Sequence, residues 1–412
     1  MKTDIDRLMQ EENIDVLWVT GSMMNNPDMV YFTGIHNAST INLFKLRDKP
    51  PIIFHDNFER DEVAKSGLKT QSYIDKFPFD KYLKEARGNV LKAYSTWFKA
   101  FFIETCITSS RVAIFGKKDI SYTYAIIKAL KRELPQVEFI GYFKDSLLKQ
   151  ARMTKSQAEV EQIRQMGNVT TQIVAKVANL LSNQKVKDNK LVNKGGHPIT
   201  VKEIKKLIRL WLVERGADNP EGTIFAIGHD AGVPHNAGDP NGFLELGKPI
   251  VFDIFPCEAG GGYFYDFTRT WCLGYATDEV QKLHAQVLKV HHKIISELRP
   301  NRPFRDFQKR ASELFTKMGH VTIEKQFNVT EGYIHCIGHG LGLNVHENPF
   351  SGISAGERDI LTPGIVFTIE PGLYYPSKNI GVRIEDTIYL NPQGKFEILA
   401  DYPYDLVIPV KN

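Results

Sequence analysis

The most informative segment of the sequence reads Val251-Phe252-Asp253-Ile254-Phe255-Pro256, an apolar, strand-like run with one carboxylate inside it. Thirteen residues after Asp253, the run Tyr263-Phe264-Tyr265-Asp266-Phe267-Thr268-Arg269-Thr270-Trp271 repeats the pattern. A buried, ionised carboxylate is unfavourable unless it is paired or binds a metal ion. Gly260-Gly261-Gly262 lies between the runs and favours a hairpin turn, which would bring Asp253 and Asp266 together.

The simpler interpretation of either aspartate alone is a salt bridge to a residue such as Arg269. Both aspartates, however, lie in aromatic, strand-like runs that a hairpin would bring together. This arrangement favours a different role. Because both carboxylates would be buried in one neighbourhood, we interpret them as metal ligands.

A glycine-rich segment holds three of the 12 histidines of the chain and reads His335-Cys336-Ile337-Gly338-His339-Gly340-Leu341-Gly342-Leu343-Asn344-Val345-His346-Glu347. The glycines disfavour a helix and allow the backbone to come close to a site. A single histidine is usually structural, but three histidines beside these glycines favour a site. The segment is not the helical His-Glu-x-x-His zinc motif, which does not occur in the chain.

Two further acidic residues interrupt apolar runs, Glu370 in Phe367-Thr368-Ile369-Glu370-Pro371-Gly372 and Glu385 in Gly381-Val382-Arg383-Ile384-Glu385-Asp386. Arg383 and Glu385 alternate with apolar residues, which predicts that they share one face of a strand. An arginine–glutamate surface pair is the simpler interpretation of the second run alone. Because other candidate metal ligands are present in the chain, we favour a metal site over this surface pair.

The candidate ligands form an oxygen-rich set of four carboxylates and one imidazole: Asp253, Asp266, His339, Glu370 and Glu385. Such a set suits Mn²⁺, Co²⁺, Fe²⁺ or Zn²⁺ and argues against a thiolate site. Four carboxylates balance two divalent ions and leave a bridging hydroxide as the additional anion. Two ions about 3.5 Å apart polarise a carbonyl and lower the pKa of bound water towards neutrality. The sequence therefore predicts a two-metal hydrolase.

The chain organisation favours two domains, as its 412 residues suggest. Short apolar runs predict strands over 16–19, 30–34, 41–44, 52–54, 111–116 and 137–140. Helix-favouring stretches over 79–102 and 122–133 lie between them. This alternation predicts an α/β domain over residues 1–148.

Two capping boxes predict the first helices of the second domain, over residues 149–412. Ser156 and Thr200 are each followed three residues later by a glutamate, so that side chain and backbone satisfy one another. We expect helices that end near 181 and 214, with a solvated, lysine-rich loop over 182–196 between them. Strands dominate from 223 onward, interrupted by helical patterns over 278–298 and 304–318. The second half therefore reads as α+β with an antiparallel sheet.

Composition limits the partners and the compartment. The formal net charge is +4 from 52 basic and 48 acidic residues, too even a balance to favour nucleic acid or an anionic membrane. No apolar run approaches the roughly 20 residues of a spanning helix, and the charged segment 1–7 is unlike a signal peptide. Four scattered cysteines without a Cys-x-x-Cys pair are typical of a reducing compartment, so we expect a cytoplasmic protein.

Four strings occur in one order along the second half: Asp-x-Thr-Arg-Thr from Asp266, Gly-His-Gly-x-Gly-x-x-x-His-Glu from Gly338, Glu-Pro-Gly from Glu370 and Arg-x-Glu-Asp from Arg383. Together they resemble a superfamily of metallopeptidases that includes aminopeptidase P, prolidase and methionine aminopeptidase, with the metal-free creatinase. The similarity covers about residues 155–409. It implies an α+β fold with a pita-bread catalytic domain, preceded by an α/β creatinase-like N-terminal domain, and a homodimer.

The resemblance implies a role for each ligand. Asp253 would bind one metal ion, His339 and Glu370 the other, and Asp266 and Glu385 both. Glu370 would also be the catalytic proton shuttle for the attacking hydroxide that bridges the metals. The expected cofactors are two divalent ions, Mn²⁺ first, with Co²⁺, Fe²⁺ or Zn²⁺ as alternatives.

The resemblance also implies roles for residues around the ligands. His346 and His235 would be catalytic histidines that contact the substrate carbonyl and steady the substrate or intermediate. His335 falls where proline-directed members place a histidine of the substrate pocket. Arg383 and Thr268 would lie behind the ligands and orient their carboxylates.

Departures from the family pattern bear on the hairpin and the substrate. Ile254-Phe255-Pro256 replaces the usual x-Gly after the first ligand, and we expect a longer hairpin with intact ligation. Phe350 stands where many prolidases have an arginine that holds the C-terminal carboxylate of a dipeptide, and an apolar ring cannot form that ion pair. We therefore expect hydrolysis of the Xaa-Pro bond at the N-terminus of peptides with proline in the second position. Phe350, Tyr374 or Tyr375 would supply an apolar wall for the proline.

Three alternatives stay open. A strict Xaa-Pro dipeptidase, or prolidase, is favoured by the short spacing between Glu370 and Glu385. A methionine aminopeptidase is disfavoured because those enzymes rarely need an N-terminal domain of this size. A catalytically silent homologue that binds peptides or proteins, or a creatinase-like amidinohydrolase, would be expected to have lost metal ligands, and all five candidate positions are retained here.

Overall fold

The computed structural model describes residues 4–39, 41–144 and 146–411. The first three residues of the charged N-terminal segment lie outside this description. The chain divides into two compact units, Met1–Arg152 with Gly260–Gly262, and Met153–Ala259 with Tyr263–Asn412.

The first unit is an α/β domain on one six-stranded sheet. Its strands are β1 (Val16–Gly21), β2 (Ile41–Leu46), β3 (Ile52–His55), β4 (Lys69–Ser72), β5 (Arg111–Lys117) and β6 (Glu138–Ile140). Their order is β4-β3-β2-β1-β5-β6. β2 runs antiparallel to both of its neighbours, and the other pairs are parallel.

Helices precede, connect and follow these strands along the chain. They are α1 (Ile5–Glu11), α2 (Pro27–Thr33), α3 (Arg60–Ala64), α4 (Tyr73–Lys76), α5 (Phe79–Glu85), α6 (Val90–Glu104), α7 (Ile120–Glu133) and α8 (Leu147–Met153), with a 3-10 turn over Asn57–Glu59. The predicted domain boundary at 148/149 falls within α8.

One prediction for the first unit was wrong, and another is refined by the structure. The predicted strand over 30–34 belongs to α2, because Asn26 caps the helix by accepting from the Met29 backbone N–H, Pro27 occupies its first turn and Gly34 ends it with φ 65°. The helix-favouring stretch over 79–102 is helical and forms two helices. Arg87 and Gly88 have positive φ angles of 49° and 80° between α5 and α6, which stops a continuous helix there.

The second unit combines four helices with several small sheets. Its helices are α9 (Gln157–Ser182), α10 (Val201–Val213), α11 (Asp278–Glu297) and α12 (Phe304–Lys317), with 3-10 turns over Asp230–Gly232 and Pro376–Lys378. Its strands are β7 (Lys185–Lys187), β8 (Lys190–Val192), β9 (Ala217–Asp218), β10 (Thr223–Ile227), β11 (Pro249–Ile254), β12 (Cys257–Glu258), β13 (Phe267–Leu273), β14 (His339–Gly340), β15 (Glu347–Phe350), β16 (Val366–Ile369), β17 (Gly372–Tyr375), β18 (Ile380–Arg383), β19 (Asp386–Leu390), β20 (Phe396–Ile398) and β21 (Val407–Ile408).

The two larger sheets of this unit position the candidate ligands: Asp253 lies in β11 and His339 in β14, and the other three lie directly beside β13, β16 and β19. One has the order β10-β11-β13-β21, antiparallel except for its last pair, and the other is the antiparallel sheet β15-β14-β16-β19-β20. The predicted antiparallel sheet is thus confirmed, as two sheets. The hairpin of β11 and β13 carries Asp253 and is called the ligand hairpin below. An isolated bridge between Thr268 and Glu385 links it to the segment between β18 and β19.

Both capping boxes are confirmed. Ser156 Oγ accepts from the Glu159 backbone N–H at 3.4 Å, and Thr200 Oγ1 accepts from the Glu203 backbone N–H at 3.3 Å. Each glutamate returns the bond to the backbone N–H of its cap. These reciprocal bonds satisfy free amides where α9 and α10 begin.

The predicted loop over 182–196 is wrong, because it contains the hairpin β7–β8. Asp188 and Asn189 turn this hairpin with φ angles of 50° and 61°, which suit a tight turn between antiparallel strands. Leu191 and Val192 are buried on its second strand. Lysines at four of the fifteen positions made the segment look solvated and obscured this short apolar pattern.

The ligand hairpin is formed as predicted. β11 and β13 pair antiparallel, with Asp253 opposite Thr268, and the connection between them is long enough to include β12. Asp266 directly precedes β13. Among the described residues, none of the helices combines the length and the apolar character that crossing a membrane requires.

Candidate metal centre

The five predicted ligands line one cavity of the second unit, with a volume of about 910 Å³. His339 Nε2 lies 3.5 Å from Glu370 Oε1 and 3.6 Å from Asp266 Oδ2. Ligand atoms of Asp266, His339 and Glu385 all lie within 4.8 Å of one another. Residues separated by more than a hundred positions therefore meet at one place.

Three carboxylate oxygens of this cluster are buried and have no hydrogen-bond partner among the described residues: Asp253 Oδ1, Asp266 Oδ1 and Glu385 Oε1. A buried polar atom left in this state destabilises the fold. Divalent cations would satisfy such oxygens, because carboxylates are the ligands that hard metal ions prefer. The residues therefore fit a metal centre.

The electrostatics lead to the same conclusion. Burial, followed by the charge of Glu385, raises the pKa of Asp266 well above its usual value, and the same two causes raise the pKa of Glu370. Burial, followed by the charge of Asp253, raises the pKa of Glu385 to about 8. Acids that repel one another in a buried cluster need cations to stay ionised at neutral pH.

His339 is oriented to offer a lone pair to this cluster. Its Nδ1 lies 3.0 Å from the Gly340 carbonyl oxygen, which only accepts, so Nδ1 carries the proton and Nε2 faces the acids. Burial, followed by the charge of His346, lowers the pKa of His339 to about 3. The ring is therefore neutral at physiological pH, the form that binds metal ions.

Arg383 and Thr268 lie directly behind the ligands. Arg383 donates from Nη2 to Asp253 Oδ2 at 2.5 Å and from Nε to Thr268 Oγ1 at 3.3 Å. Thr268 Oγ1 donates in turn to Glu385 Oε2 at 2.7 Å. These bonds occupy one oxygen of Asp253 and one of Glu385 and leave the other oxygen of each available.

The strand predicted to carry both Arg383 and Glu385 ends at Arg383. Glu385 lies in the gap between β18 and β19, and its backbone N–H donates to the Thr268 carbonyl at 3.0 Å. Both side chains still reach Thr268, as one shared face requires.

The three predicted active-site histidines also line the cavity, in different ways. His335 is fully engaged, because Nδ1 lies 2.7 Å from the Cys336 carbonyl and the Tyr374 hydroxyl donates to Nε2 at 2.9 Å. Burial lowers the pKa of His335 to about 3. His346 and His235 are exposed to the cavity, and the His346 ring lies 4.3 Å from that of His339.

The aromatic wall differs from the prediction. Phe350 lines the cavity, but Tyr374 and Tyr375 do not. Tyr374 is buried and its hydroxyl accepts from Arg383 Nη1 at 2.8 Å, while the Tyr375 hydroxyl pairs with His320 Nδ1 at 2.6 Å. Tyr374 thus links Arg383 to His335, a position that the aromatic character of its strand did not indicate.

Sequence reasoning also missed the charged residues of the cavity outside the ligand cluster: Lys205, Arg209, Asp218 and Glu221. The capping box located α10, which carries the two basic residues, but gave no indication of which face of the helix borders the cavity. Nothing in the local pattern distinguishes these four side chains from solvated ones.

Arg269 does not pair with either aspartate ligand. Its Nη2 donates to Asp386 Oδ1 at 2.8 Å, and its guanidinium lies 4.3 Å from the ring centres of both Phe267 and Tyr404. The simpler interpretation of a salt bridge therefore holds in part for Asp253, whose partner is Arg383 instead of Arg269, and Arg269 is not the partner of Asp266.

Comparison with protein families agrees with this geometry. The model described as metallopeptidase family M24 matches residues 161–392, and the model described as the creatinase/prolidase N-terminal domain matches residues 3–165. The chain belongs to metallopeptidase family M24. The resemblance drawn from the four strings is confirmed, and so is the prediction of an enzyme. Membership in this family implies divalent metal ions.

Individual relatives extend over nearly the whole of this family M24 chain. An uncharacterized peptidase of Staphylococcus epidermidis is 28% identical over 408 residues, which cover 97% of this chain and 98% of the relative. A Xaa-Pro dipeptidase of Pyrococcus furiosus is 25% identical over 335 residues, 81% of this chain and 85% of its own. The crystal structure of an X-Pro aminopeptidase from Thermotoga maritima has a TM-score of 0.74 at 22% identity, covering 98% of this chain and 100% of that one. The predicted α+β fold with a creatinase-like N-terminal domain is confirmed.

Proposed function

We propose that this metallopeptidase hydrolyses the Xaa-Pro bond at the N-terminus of peptides with proline in the second position, using two divalent metal ions. One observation carries the proposal. The five ligands converge with three partnerless carboxylate oxygens in a cavity that His235, His335 and His346 also line. The chemistry at the ligands supports hydrolysis, and the surrounding histidines support a peptide substrate.

The ligand set would hold the two ions as follows: Asp253 on the first, His339 and Glu370 on the second, and Asp266 and Glu385 on both. When bound, such a pair of ions activates water near neutral pH and polarises the scissile carbonyl. Four carboxylates with one imidazole suit Mn²⁺, and also Co²⁺, Fe²⁺ or Zn²⁺.

Glu370 is suited to move the proton of the reaction. Its side chain is 15% exposed to the cavity, whereas the side chain of Asp266 is 5% exposed, so Glu370 is the more accessible acid. Its carboxylate borders the cavity in which the substrate would bind, so a proton could pass between it and the reacting groups. Glu370 accepts the proton of the attacking water and returns it to the prolyl nitrogen.

The histidines divide the contacts with the substrate. His346 and His235 face the cavity and would donate to the carbonyl oxygen that gains charge during attack. His335 has both ring nitrogens engaged by Cys336 and Tyr374, so it would contribute a ring face to the pocket.

The pocket for proline would form against Phe350. A prolyl ring is apolar and carries no amide N–H, so an aromatic wall accommodates it without an unsatisfied donor. Phe350 cannot hold the C-terminal carboxylate of a dipeptide by an ion pair. This supports cleavage of longer peptides over dipeptides, and the Thermotoga maritima neighbour is named an X-Pro aminopeptidase.

The experiment compares Xaa-Pro dipeptides with longer Xaa-Pro peptides at saturating Mn²⁺, with Xaa-Ala peptides as the matched control. We expect the longer Xaa-Pro peptides to be cleaved after their first residue and the Xaa-Ala peptides to be cleaved far more slowly. Metal analysis of the same sample distinguishes an inactive enzyme from an unloaded one. Failure of the metal-loaded protein to cleave any Xaa-Pro peptide would contradict the proposal.

A strict Xaa-Pro dipeptidase is the second candidate, favoured by the similarity to the Pyrococcus furiosus enzyme of that name. Cleavage of dipeptides alone in the same assay would establish it. A silent binding homologue would instead contain no divalent ion after reconstitution.

We also propose a cytoplasmic homodimer. The four cysteines are free thiols, which suits a reducing compartment, and the dimer follows the family resemblance. Sedimentation of the purified protein measures its oligomeric state, and a monomer would contradict the second part.

A further inference from the structure

One helix presents two basic side chains to the cavity that holds the ligand cluster. Lys205 and Arg209 both line it, and their spacing of four residues on α10 places them on one face of the helix. Ile204 and Ile208 precede them in sequence and are buried, which holds the helix against the rest of the unit. The direction of the two basic side chains is therefore set by the packing of α10.

Neither side chain is neutralised within the parts of the chain that the structure describes. Lys205 Nζ donates to the Ala237 carbonyl at 2.6 Å, which uses one of its three protons. Burial lowers the pKa of Lys205, with no carboxylate acting against it. Arg209 is exposed to the cavity and forms no ion pair among the described residues.

The other cation of the cavity is already committed. Arg383 donates to Asp253, Thr268, Tyr374 and the Pro234 carbonyl, so its guanidinium supports the ligands. Of the basic side chains that the structure describes along this cavity, Lys205 and Arg209 are the pair left to meet an incoming anion.

Two acids share the cavity with this pair, Asp218 and Glu221. Asp218 Oδ1 accepts from the Asn219 backbone N–H at 2.7 Å, and the charge of Glu221 acts on His346. Neither acid lies within ion-pair distance of Lys205 or Arg209 in the described residues. Both cations are therefore available to an anionic group of a bound ligand.

We propose that Lys205 and Arg209 form a subsite for a carboxylate of the peptide substrate. The inference rests on the proposed peptidase function, because the ligand is its substrate. Two sources share this chemistry, the C-terminal carboxylate of a short peptide and the side chain of an acidic residue. The subsite lies on a different element from Phe350, whose position cannot supply such an ion pair.

The subsite binds without taking part in the bond-breaking step. A guanidinium and an ammonium donate charge-assisted hydrogen bonds to a carboxylate, and these are stronger than neutral ones. The ion pair would form equally in the ground state and in the transition state. Its loss therefore raises KM and leaves kcat unchanged. Salt weakens it, since the pair is partly open to solvent.

The experiment uses Lys205→Met, Arg209→Met and the double variant of the metal-loaded, full-length protein. Lys206→Met is the matched control, because Lys206 lies on the same helix, is exposed and does not line the cavity. Two peptide pairs distinguish the sources. The first is Ala-Pro-Ala as free acid and as amide, and the second is Glu-Pro-Ala-amide and Gln-Pro-Ala-amide.

We expect the double variant to raise KM about tenfold for one charged peptide and by less than about twofold for its neutral partner. The pair that shows the difference identifies the source of the carboxylate. The control should match the parent protein for all four peptides. Equal changes for the charged and neutral members of both pairs, or no change in any peptide, would overturn the subsite.

A binding measurement separates this inference from the proposed function. Analogues of the same peptides with the scissile amide reduced to a methyleneamine cannot be cleaved, and calorimetry measures their affinity directly. If the parent protein cleaves no Xaa-Pro peptide but the double variant still loses about tenfold in affinity for one charged analogue, the function fails and the subsite stands. Loss of affinity that is equal for charged and neutral analogues overturns the subsite alone.

Discussion

Glu385 and Asp386 are neighbours in the chain and both are buried, yet their surroundings differ. Asp386 accepts from Arg269 at 2.8 Å and from the Tyr404 hydroxyl at 2.7 Å, and His291 Nε2 lies 3.2 Å away. Burial acts to raise its pKa, but the charge of Arg269 and these bonds outweigh burial and hold the pKa below its usual value.

Glu385 has a single side-chain partner, Thr268, and its other oxygen has none among the described residues. Its pKa is raised to about 8, first by burial and then by Asp253. Asp386 is therefore a completed ion pair that serves the fold, whereas Glu385 belongs to an incomplete cluster that needs cations. For these two neighbours, the number of side-chain partners separates the structural carboxylate from the one that we propose to bind metal.

We expect the largest effect from removing Asp266, which we propose to bind both metal ions. Asp266→Asn should reduce hydrolysis by about a thousandfold or more, because metal ions contribute several kcal/mol of transition-state stabilisation. Steady-state kinetics and metal analysis measure the loss of rate and of bound ions together. The exposed Asp401→Asn serves as control. A variant with full metal content and parental activity would contradict the ligand role.

The variant Asp386→Asn tests the structural role of Asp386. The change leaves the buried Arg269 without its charged partner, so we expect the free energy of unfolding to fall by about 3–5 kcal/mol. Chemical denaturation of the metal-free protein measures this. Glu385→Gln is the matched change one residue earlier, and we expect no loss of stability from it in the metal-free protein. Equal destabilisation by the two variants would contradict the distinction between a structural Asp386 and a metal-binding Glu385.

The two acids should also give opposite pH dependences in the metal-free protein. The pKa of Glu385 rises from 4.5 to about 8 on folding, so folding binds a proton between these values. Its contribution to stability is complete below pH 4.5 and is lost as the pH rises towards 8, by at most about 1.4 kcal/mol per pH unit. Asp386 has a lowered pKa, and its contribution is lost as the pH falls below its ordinary value of 3.8.

Unfolding free energies of the metal-free parent and of Glu385→Gln, measured between pH 4.5 and 8, check this contribution. The two proteins share the opposite slope of buried histidines such as His339, whose pKa is lowered, so the contribution of Glu385 is the difference between the two curves. We expect the parent to lose stability relative to Glu385→Gln as the pH rises, and saturation with metal ions to reduce this change, because bound cations keep the carboxylates ionised. A difference between the two curves that does not change with pH would contradict the assignment.

The smallest effect concerns the single partner of Glu385. Thr268→Val keeps the shape of the side chain and removes its bond to Glu385 Oε2. We expect metal affinity to fall by about tenfold, since residues that orient ligand side chains contribute at this level. Titration with Mn²⁺ measures it. Thr270→Val is the matched control on the same strand, because the Thr270 hydroxyl bonds only backbone groups of Arg383. Equal losses in both variants would assign the effect to the strand.

Local chemistry made much of this protein readable from its sequence. A carboxylate inside an apolar run is conspicuous at Asp253, Asp266 and Glu385 because few other roles allow it. The capping boxes of α9 and α10 were equally readable, since Ser156 and Thr200 act on backbone groups three residues away. The strand predicted over 30–34 failed because the helix signals of Asn26 and Pro27 lie before the apolar run.

The sequence by itself determined the ligand chemistry, the metallopeptidase family and the places where several elements begin. Only the tertiary structure decided that Arg383 pairs with Asp253 while Arg269 pairs with Asp386, and that α10 turns Lys205 and Arg209 to the cavity. The physical reason is range. Backbone preferences act over a few residues, whereas these pairs join positions more than a hundred residues apart through sheet register and helix packing, which no local pattern records.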